Sequence, residues 1–521
     1  LRIRHYFCEY ALKSKWIQRM TDTQAIPSND AVPAFGLSSP ETQLTPDLCI
    51  IGAGAAGLSV AAVASQLGLD VVLIEKHKMG GECLNYGCVP SKALLAAAHE
   101  ARRLRFADRF GLGQHLTGVD FAKVHQYVQR VIESIAPNDS VARFQGLGVT
   151  VLKGAAQFVD RKTVQVNTTA IVAKKVLICT GSHPVVPQIP GLADVPYLTN
   201  ETIFDLTTCP KHLIVIGGGA IGIEMAQAMR WLGADVTVVD AGRILPKDDP
   251  ECAGVLRNRL RRDGVQFREN ASIAQVFKDD DGSIAMHMYL GDNPETLKGS
   301  HVLIAAGRAP NVVHLGLDKA GVAFDVRQGI MTDAALRTNK KHIYALGDVA
   351  CPRGQAPMQF THIAGQHATV FIKKALFKIP AKVAQKTVPW VTYTDPELAH
   401  VGLREHEAVA TYGAHKVRVL RWSFGENDRA QAENTTEGLI KVMVRPNGKI
   451  LGATIVGPRA GELIQPWILA ISENIKIAAM AALIVPYPTL GEVSKRAAGQ
   501  FFVPKLFSEK TKRIVRFLMR F

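Results

Sequence analysis

No run of about 18 apolar residues occurs in this chain, so no segment is expected to span a membrane as a helix. Cysteine is scarce, with eight among 521 residues. A secreted scaffold stapled by disulfides needs more. Six of the eight, Cys8, Cys49, Cys179, Cys209, Cys252 and Cys351, stand singly in apolar or loop contexts. The expected compartment is therefore reducing and cytoplasmic, with these six as small core or surface residues. No CxxC pair is present, and no cysteine follows Cys351. A metal site would want further Cys or His at ligand spacing, and none lies near the remaining pair, so no metal ligands are assigned. Acids are the minority charge, 46 against 61 Lys and Arg, for a formal net charge of +15. That excess favours acidic partners or anionic surfaces. No nucleic-acid partner is expected.

What is present is enough apolar residue, 47%, for several cores, and three or four domains are expected. The most informative stretch is Gly80-Gly81-Glu82-Cys83-Leu84-Asn85-Tyr86-Gly87-Cys88-Val89-Pro90-Ser91-Lys92. Four residues separate the two cysteines, within a few residues of a complete dinucleotide-binding unit. That sets a redox-active sulfur pair beside a bound cofactor. A structural disulfide or two buried thiols is the plainer alternative. The spacing predicts both side chains on one face at the start of a helix. The helix N-terminus would then stabilise a thiolate. Lys92, one turn beyond Cys88, can aim its ammonium at the same cofactor.

The dinucleotide unit occurs twice. Asp47-Leu48-Cys49-Ile50-Ile51 reads as a strand and Gly52-Ala53-Gly54-Ala55-Ala56-Gly57 as a tight turn. An alanine-rich helix then runs to Leu67, and a second strand ends at Glu75. Likewise His212–Ile216 leads into Gly217-Gly218-Gly219-Ala220-Ile221-Gly222, a helix through Trp231, and a strand ending at Asp240. Glu75 lies 18 residues after Gly57, and Asp240 lies 18 after Gly222. The glycines let backbone approach a pyrophosphate at a helix N-terminus, and each acid can accept from ribose hydroxyls. One such turn is weak evidence; two with matching strands and acids are strong. Two dinucleotides are expected. Asp240 would repel a 2′-phosphate, favouring NADH, with NADPH left open by the nearby Arg243.

In this order, the first unit, the Cys83–Cys88 pair and the second unit resemble the class I pyridine nucleotide–disulfide oxidoreductases, over about residues 45–505. Ile178-Cys179-Thr180-Gly181-Ser182 and Leu303-Ile304-Ala305-Ala306-Gly307-Arg308 resemble that family's two strand-to-loop returns. Ile343-Tyr344-Ala345-Leu346-Gly347-Asp348 resembles its second flavin signature, and Thr392-Tyr393-Thr394-Asp395-Pro396-Glu397 the opening of its interface domain. The resemblance implies an α/β fold with two Rossmann-like domains, for FAD and NAD, and a C-terminal α+β dimerisation domain. The implied spans are 45–190 with 311–382 for FAD, 191–310 for NAD(P) and 385–504 for the interface. FAD would be held by Gly52, Gly54, Gly57, Glu75, Lys92, Thr180, Gly181, Ser182 and Asp348. NAD(P) would be held by Gly217, Gly219, Gly222, Asp240 and Gly307. The resemblance further implies a homodimer with active sites shared between subunits. Electrons would pass from NADH through the flavin to Cys88, with Cys83 as the exchange thiol and Lys92 paired to Glu224.

One signature departs from the family. The disulfide reductases carry His-Pro-Thr near the C-terminus, followed by a Glu, and the His is the acid–base of the exchange thiol. Here the stretch is Pro486-Tyr487-Pro488-Thr489-Leu490-Gly491-Glu492, with Tyr487 in the histidine's place. A phenol of ordinary pKa near 10 is a poor proton shuttle at neutral pH. The departure favours an acceptor that needs thiolates more than proton transfer, as in mercuric reductase, but leaves the small-molecule or metal-ion acceptor open. Tyr487 and Glu492 are counted with the catalytic set. His362 is a substitute proton donor or a satisfied structural histidine. Competing readings are dihydrolipoamide dehydrogenase and a flavin-bearing redox sensor or recruiting protein; transhydrogenation fits less, because those enzymes lack the full cysteine pair.

Both ends stand apart. Residues 1–44 are expected to be a flexible extension, and 1–19 an extended gene start ahead of Met20. Residues 505–521 carry Lys505, Lys510, Lys512, Arg513, Arg516 and Arg520 among Ile514, Val515, Phe517, Leu518 and Phe521. Such a basic amphipathic tail packs on its own protein, on a partner subunit, or weakly on an anionic membrane surface, which would make the protein peripheral to the inner membrane face.

Overall fold

A computed structural model describes residues 40–113, 118–352, 358–384 and 387–521. Its first core is a five-stranded parallel sheet, ordered Ile343–Ala345, Lys175–Ile178, Leu48–Ile51, Val71–Glu75 and Thr150–Lys153. Ile50 pairs with Leu73 on one side and Leu177 on the other. The inner strands Leu48–Ile51 and Val71–Glu75 are buried throughout, and the core around them also takes in Phe158, Val164, Val166 and Ile171 of a small second sheet. Helices Ala55–Gln66 and Thr361–Phe371 pack against each other over the parallel sheet.

The edge strand Ile343–Ala345 arrives late in the chain, after a second Rossmann-like unit has been inserted. That unit is a four-stranded parallel sheet, ordered Gln266–Glu269, Asp235–Asp240, His212–Ile216 and His301–Ile304. A three-stranded antiparallel sheet, Ala271–Lys278, Ile284–Leu290 and Asn293–Gly299, is appended to it. The two passages between units run side by side, Ser182–Pro184 antiparallel to Arg308–Pro310. The α/β class with two Rossmann-like units is thus the observed architecture.

The C-terminal unit is a five-stranded antiparallel sheet, Trp390–Thr392, Glu397–Gly402, Ile450–Gly457, Leu439–Val444 and Arg418–Ser423. Helices close one side of it around the buried Trp467. One sequence expectation fails at the N-terminal end. Thr42–Leu44 is a strand, paired in parallel with Thr169–Ile171. Backbone pairing to a formed sheet overrides the polar composition there. Residues 1–39, with the expected gene start and Cys8, lie outside the described residues.

Candidate active site

Each glycine turn is forced by close approach. A Cβ on Gly57 would sit 2.0 Å from the Gly52 carbonyl oxygen, and one on Gly222 would sit 2.0 Å from that of Gly217. Helices Ala55–Gln66 and Ala220–Leu232 then start at Gly54 and Gly219 without a side-chain cap. Their first N–H groups carry no side-chain acceptor, and a Cβ on Gly219 would meet only open space. Both turns therefore fit a pyrophosphate. The acids behave alike. Glu75 accepts from the backbone N–H of Ala53 (2.8 Å) and His77 (2.7 Å). Asp240 accepts from Gly218 (2.6 Å) and Gly242 (2.7 Å). Each carboxylate is pinned at the mouth of its turn with lone pairs left for a ribose.

The cysteine segment is built onto the first turn. The Gly80 N–H donates to the Ala53 carbonyl at 3.0 Å. A Cβ on Gly81 would lie 2.7 Å from Gly54 Cα, so only glycine lets the segment lie this close. Gly81 also sits at φ +60°. The expectation that both cysteines share one helix is corrected here. Cys83 lies in the short helix Gly81–Asn85, and Cys88 opens the next, Cys88–Arg105. Tyr86 and Gly87 break the helix between them, with Gly87 at φ −128° and ψ −111°. The thiols still meet, because the break folds the first helix back onto the start of the second.

The Cys83 and Cys88 thiols influence each other's ionisation, and Cys88 Sγ lies 3.4 Å from Thr361 Oγ1. The neighbouring Cys83 thiol pulls the Cys88 pKa down to about 6, helped by Thr361 and the Lys92 ammonium and opposed by partial desolvation. The same pairing raises the Cys83 thiol, and burial adds to it. Cys88 and Thr361 each open a helix, so two helix N-termini converge on the thiolate.

The cysteine helix packs Leu94, Leu95 and Ala98 into the core of the second unit, against Ile223. That contact delivers Lys92 to Glu224, with Nζ to Oε2 at 2.7 Å. The other Glu224 oxygen accepts from the Tyr393 N–H at 2.8 Å, and Lys92 Nζ stands 4.5 Å above the Tyr393 ring.

A second cluster faces the cysteines from the domain passages. Ser182 Oγ donates to Asp348 at 2.7 Å and accepts from Arg308 Nε at 2.9 Å. Arg308 also pairs with Glu82, which takes Asn200 Nδ2 at 2.7 Å. Burial lifts Glu82 to about 7 and raises Asp348 as well. Thr180 is locked to Asn311 by two hydrogen bonds, Oγ1 to the Asn311 carbonyl (2.7 Å) and Asn311 Nδ2 to the Thr180 carbonyl (2.8 Å). Gly181 and Gly307 sit at φ +70° and +131° in the loops on either side.

The remaining site residues lie elsewhere. Tyr487 is on the C-terminal unit, 71% exposed, and its hydroxyl donates to Asp428 Oδ2 at 2.9 Å. That bond raises its pKa. Glu492 opens helix Glu492–Gly499 on the same unit. His362 adjoins Thr361 but bonds the Pro389 carbonyl at 2.9 Å and stacks on Phe360, the arrangement of a satisfied structural histidine. Sequence reasoning missed Glu82, Thr361 and Asn200 as site residues. Only Glu82 had a legible signal, a carboxylate beside a candidate redox cysteine.

Comparison with known proteins decides the family. The model of the pyridine nucleotide-disulphide oxidoreductases matches residues 46–368, and that of their dimerisation domain matches 388–498. The chain belongs to this family. Mercuric reductase from Streptomyces lividans is 33% identical over 462 residues, covering 87% of this chain and 96% of the relative. Dihydrolipoyl dehydrogenase from Geobacillus stearothermophilus is 34% identical, covering 86% and 94%. Among solved structures, the Cu(II) complex of the HOCl-induced flavoprotein disulfide reductase RclA from Escherichia coli overlays with a TM-score of 0.78 at 26% identity, covering 88% of this chain and 99% of that one. The protein is thus a pyridine nucleotide–disulfide oxidoreductase, an enzyme of the FAD- and NAD(P)H-dependent kind.

Proposed function

We propose that this enzyme draws electrons from NADH and discharges them, through Cys83 and Cys88, onto a thiophilic acceptor such as a soft metal ion. The observation that carries the reading is the Cys83–Cys88–Thr361 cluster, seated on the first glycine turn, where its neighbours lower the Cys88 pKa and so favour a thiolate. FAD, when bound, supplies a two-electron carrier that NADH reduces by hydride. Gly52, Gly54, Gly57, Glu75, Thr180, Gly181, Ser182 and Asp348 would hold it, with Lys92 beside it. Gly217, Gly219, Gly222, Asp240 and Gly307 would hold the nicotinamide cofactor. Asp240, already fixed by two backbone N–H groups, supports NADH because a 2′-phosphate would meet its charge.

The chain's own residues then handle charge and protons. Lys92 and the two helix ends hold negative charge on Cys88 Sγ. Glu224 holds Lys92 in place. Cys83 Sγ carries a proton, and a soft cation binding the pair displaces that proton. Tyr487 supports this acceptor class, since its hydroxyl donates a hydrogen bond to Asp428, which raises its pKa and keeps it protonated, so it does not act as a base near neutral pH. In a homodimer, the expected state for a chain with this dimerisation domain, Tyr487 and Glu492 of one subunit would face the cysteine pair of the other. Leu469, Leu483 and Ile484 leave an apolar exposed surface on that domain for such a contact.

Dihydrolipoyl dehydrogenase is the second reading, favoured by relatives of that name at 33–35% identity. Tyr487→His separates the two. If the missing imidazole limits disulfide exchange, the variant should gain lipoamide turnover by on the order of 10²-fold in steady-state assays, the low end of general acid–base assistance. Fast lipoamide turnover by the unaltered enzyme, with no gain in the variant, would establish the dehydrogenase reading instead.

A further inference from the structure

The match to the dimerisation domain stops at residue 498, yet the chain goes on to form two more helices, Val503–Leu506 and Glu509–Leu518. The second is capped by Ser508, whose hydroxyl accepts from the Thr511 N–H at 3.3 Å. Ten residues make a rod about 15 Å long. At 100° per residue, Ile514 and Leu518 fall on one side of the helix, flanked by Phe517 and Val515, and the exposed Phe521 lies just past its end. Lys512, Arg513 and Arg516 fall on the opposite side, Lys510 flanks the apolar strip, and Arg520 follows the helix end.

An amphipathic helix in a globular protein normally buries its apolar strip on its own core. This one does not. No residue of Glu509–Leu518 is buried, and Ile514, Val515, Phe517 and Leu518 are all about half exposed or more. Leu506 and Phe507, just before it, are exposed too and extend the apolar surface. An exposed apolar patch of this kind marks a binding surface. The occupant is chosen by charge. From Lys505 onward the chain carries six Lys and Arg against the single acid Glu509. A second copy of the same tail would bring like charges together, whereas a sheet of phosphate headgroups over acyl chains complements both faces at once.

We propose that helix Glu509–Leu518 docks this enzyme on an anionic phospholipid surface, its Ile514–Leu518 strip and neighbouring Phe517 in the acyl boundary and its arginines at the phosphates. No helix among the described residues is long and apolar enough to cross a membrane, so the attachment is peripheral and reversible. This inference does not depend on the identity of the acceptor.

Co-sedimentation of the full-length, FAD-loaded protein tests it. The probes are vesicles of mixed phosphatidylglycerol and phosphatidylcholine, and vesicles of phosphatidylcholine alone. The full chain should pellet with the anionic vesicles at low salt, be released at high salt, and stay in solution with the neutral ones. A chain ending at Pro504 should remain in solution with both. The triple variant Arg513→Glu, Arg516→Glu, Arg520→Glu should lose about 10²-fold in partitioning. NADH oxidation with an artificial dye should be unchanged in both variants, which shows that they fold. Equal pelleting of the full and shortened chains, or no pelleting of either, overturns the proposal. So does a smaller oligomer on shortening with no change in vesicle binding, which would assign the helix to a second copy.

Discussion

Cys88→Ser is expected to cut acceptor reduction by on the order of 10³-fold or more, while FAD and NADH still bind. The reason is local. Cys88 is the sulfur whose negative charge is supported by Cys83, Thr361 and Lys92 together. Serine keeps the size, but its hydroxyl does not ionise near neutral pH. Cys83→Ser should be equally inactive toward the acceptor for a different reason: it removes the sulfur that hands electrons on. The two variants differ in pH behaviour. Cys88 is an acid whose pKa is depressed in the folded protein, so its thiolate is present above about pH 6 and is lost as pH falls through that value. Acceptor reduction by the unaltered enzyme should fall on the acid side with that midpoint. In Cys83→Ala, which removes the donor that serine would keep, the main cause of the depression is gone, so the Cys88 thiolate should titrate at higher pH, read by thiolate absorbance. Full acceptor turnover in either variant would remove the cysteines from the reaction.

Lys441→Met should be the most destabilising single change outside the nucleotide turns. Lys441 lies on strand Leu439–Val444 with its side chain only 4% exposed. Its ammonium meets Asp249 (2.8 Å), Glu251 (3.0 Å) and Glu405 (2.7 Å). Burial works against its charge, yet the hydrogen bonds to the three carboxylates leave its pKa raised. Asp249 is itself 1% exposed and caps helix Pro250–Arg262 of the second unit, so the cluster fastens that unit to the C-terminal sheet. Removing one partner of a buried pair leaves an uncompensated charge and costs about 3–5 kcal/mol. The apparent melting midpoint should drop by on the order of 10 °C. Adding Asp249→Asn, which keeps the helix cap, should restore much of the loss because the stranded charge is gone. A midpoint within a degree or two of the unaltered protein would mean that water reaches the cluster and screens it.

Much of the fold was legible because parallel strands and their turns leave dense local signals. The runs Leu48–Ile51 and His212–Ile216 are apolar throughout, and the glycines at 52, 57, 217 and 222 stand where only glycine fits. The pairing of Lys92 with Glu224 was legible only through resemblance, because 132 residues separate them and no periodicity links them. Thr361 and Asn200 were illegible, since a threonine opening a helix and an asparagine in a loop are common anywhere. Their part here comes from long-range packing that sets helix Thr361–Phe371 and the Asn200 loop against the cysteine segment. The break at Tyr86–Gly87 was missed for a local reason. Helical spacing was read across a glycine whose backbone, at φ −128° and ψ −111°, leaves the helix.

The central claim is a thiolate on Cys88 set against an FAD that NADH reduces, and anaerobic titration of the purified enzyme with NADH tests it most directly. A long-wavelength absorbance band should grow to one equivalent of NADH, weaken as pH falls below about 6, and be absent in Cys88→Ser. Direct bleaching of the flavin with no such band at any pH, or a band that survives in Cys88→Ser, would contradict it.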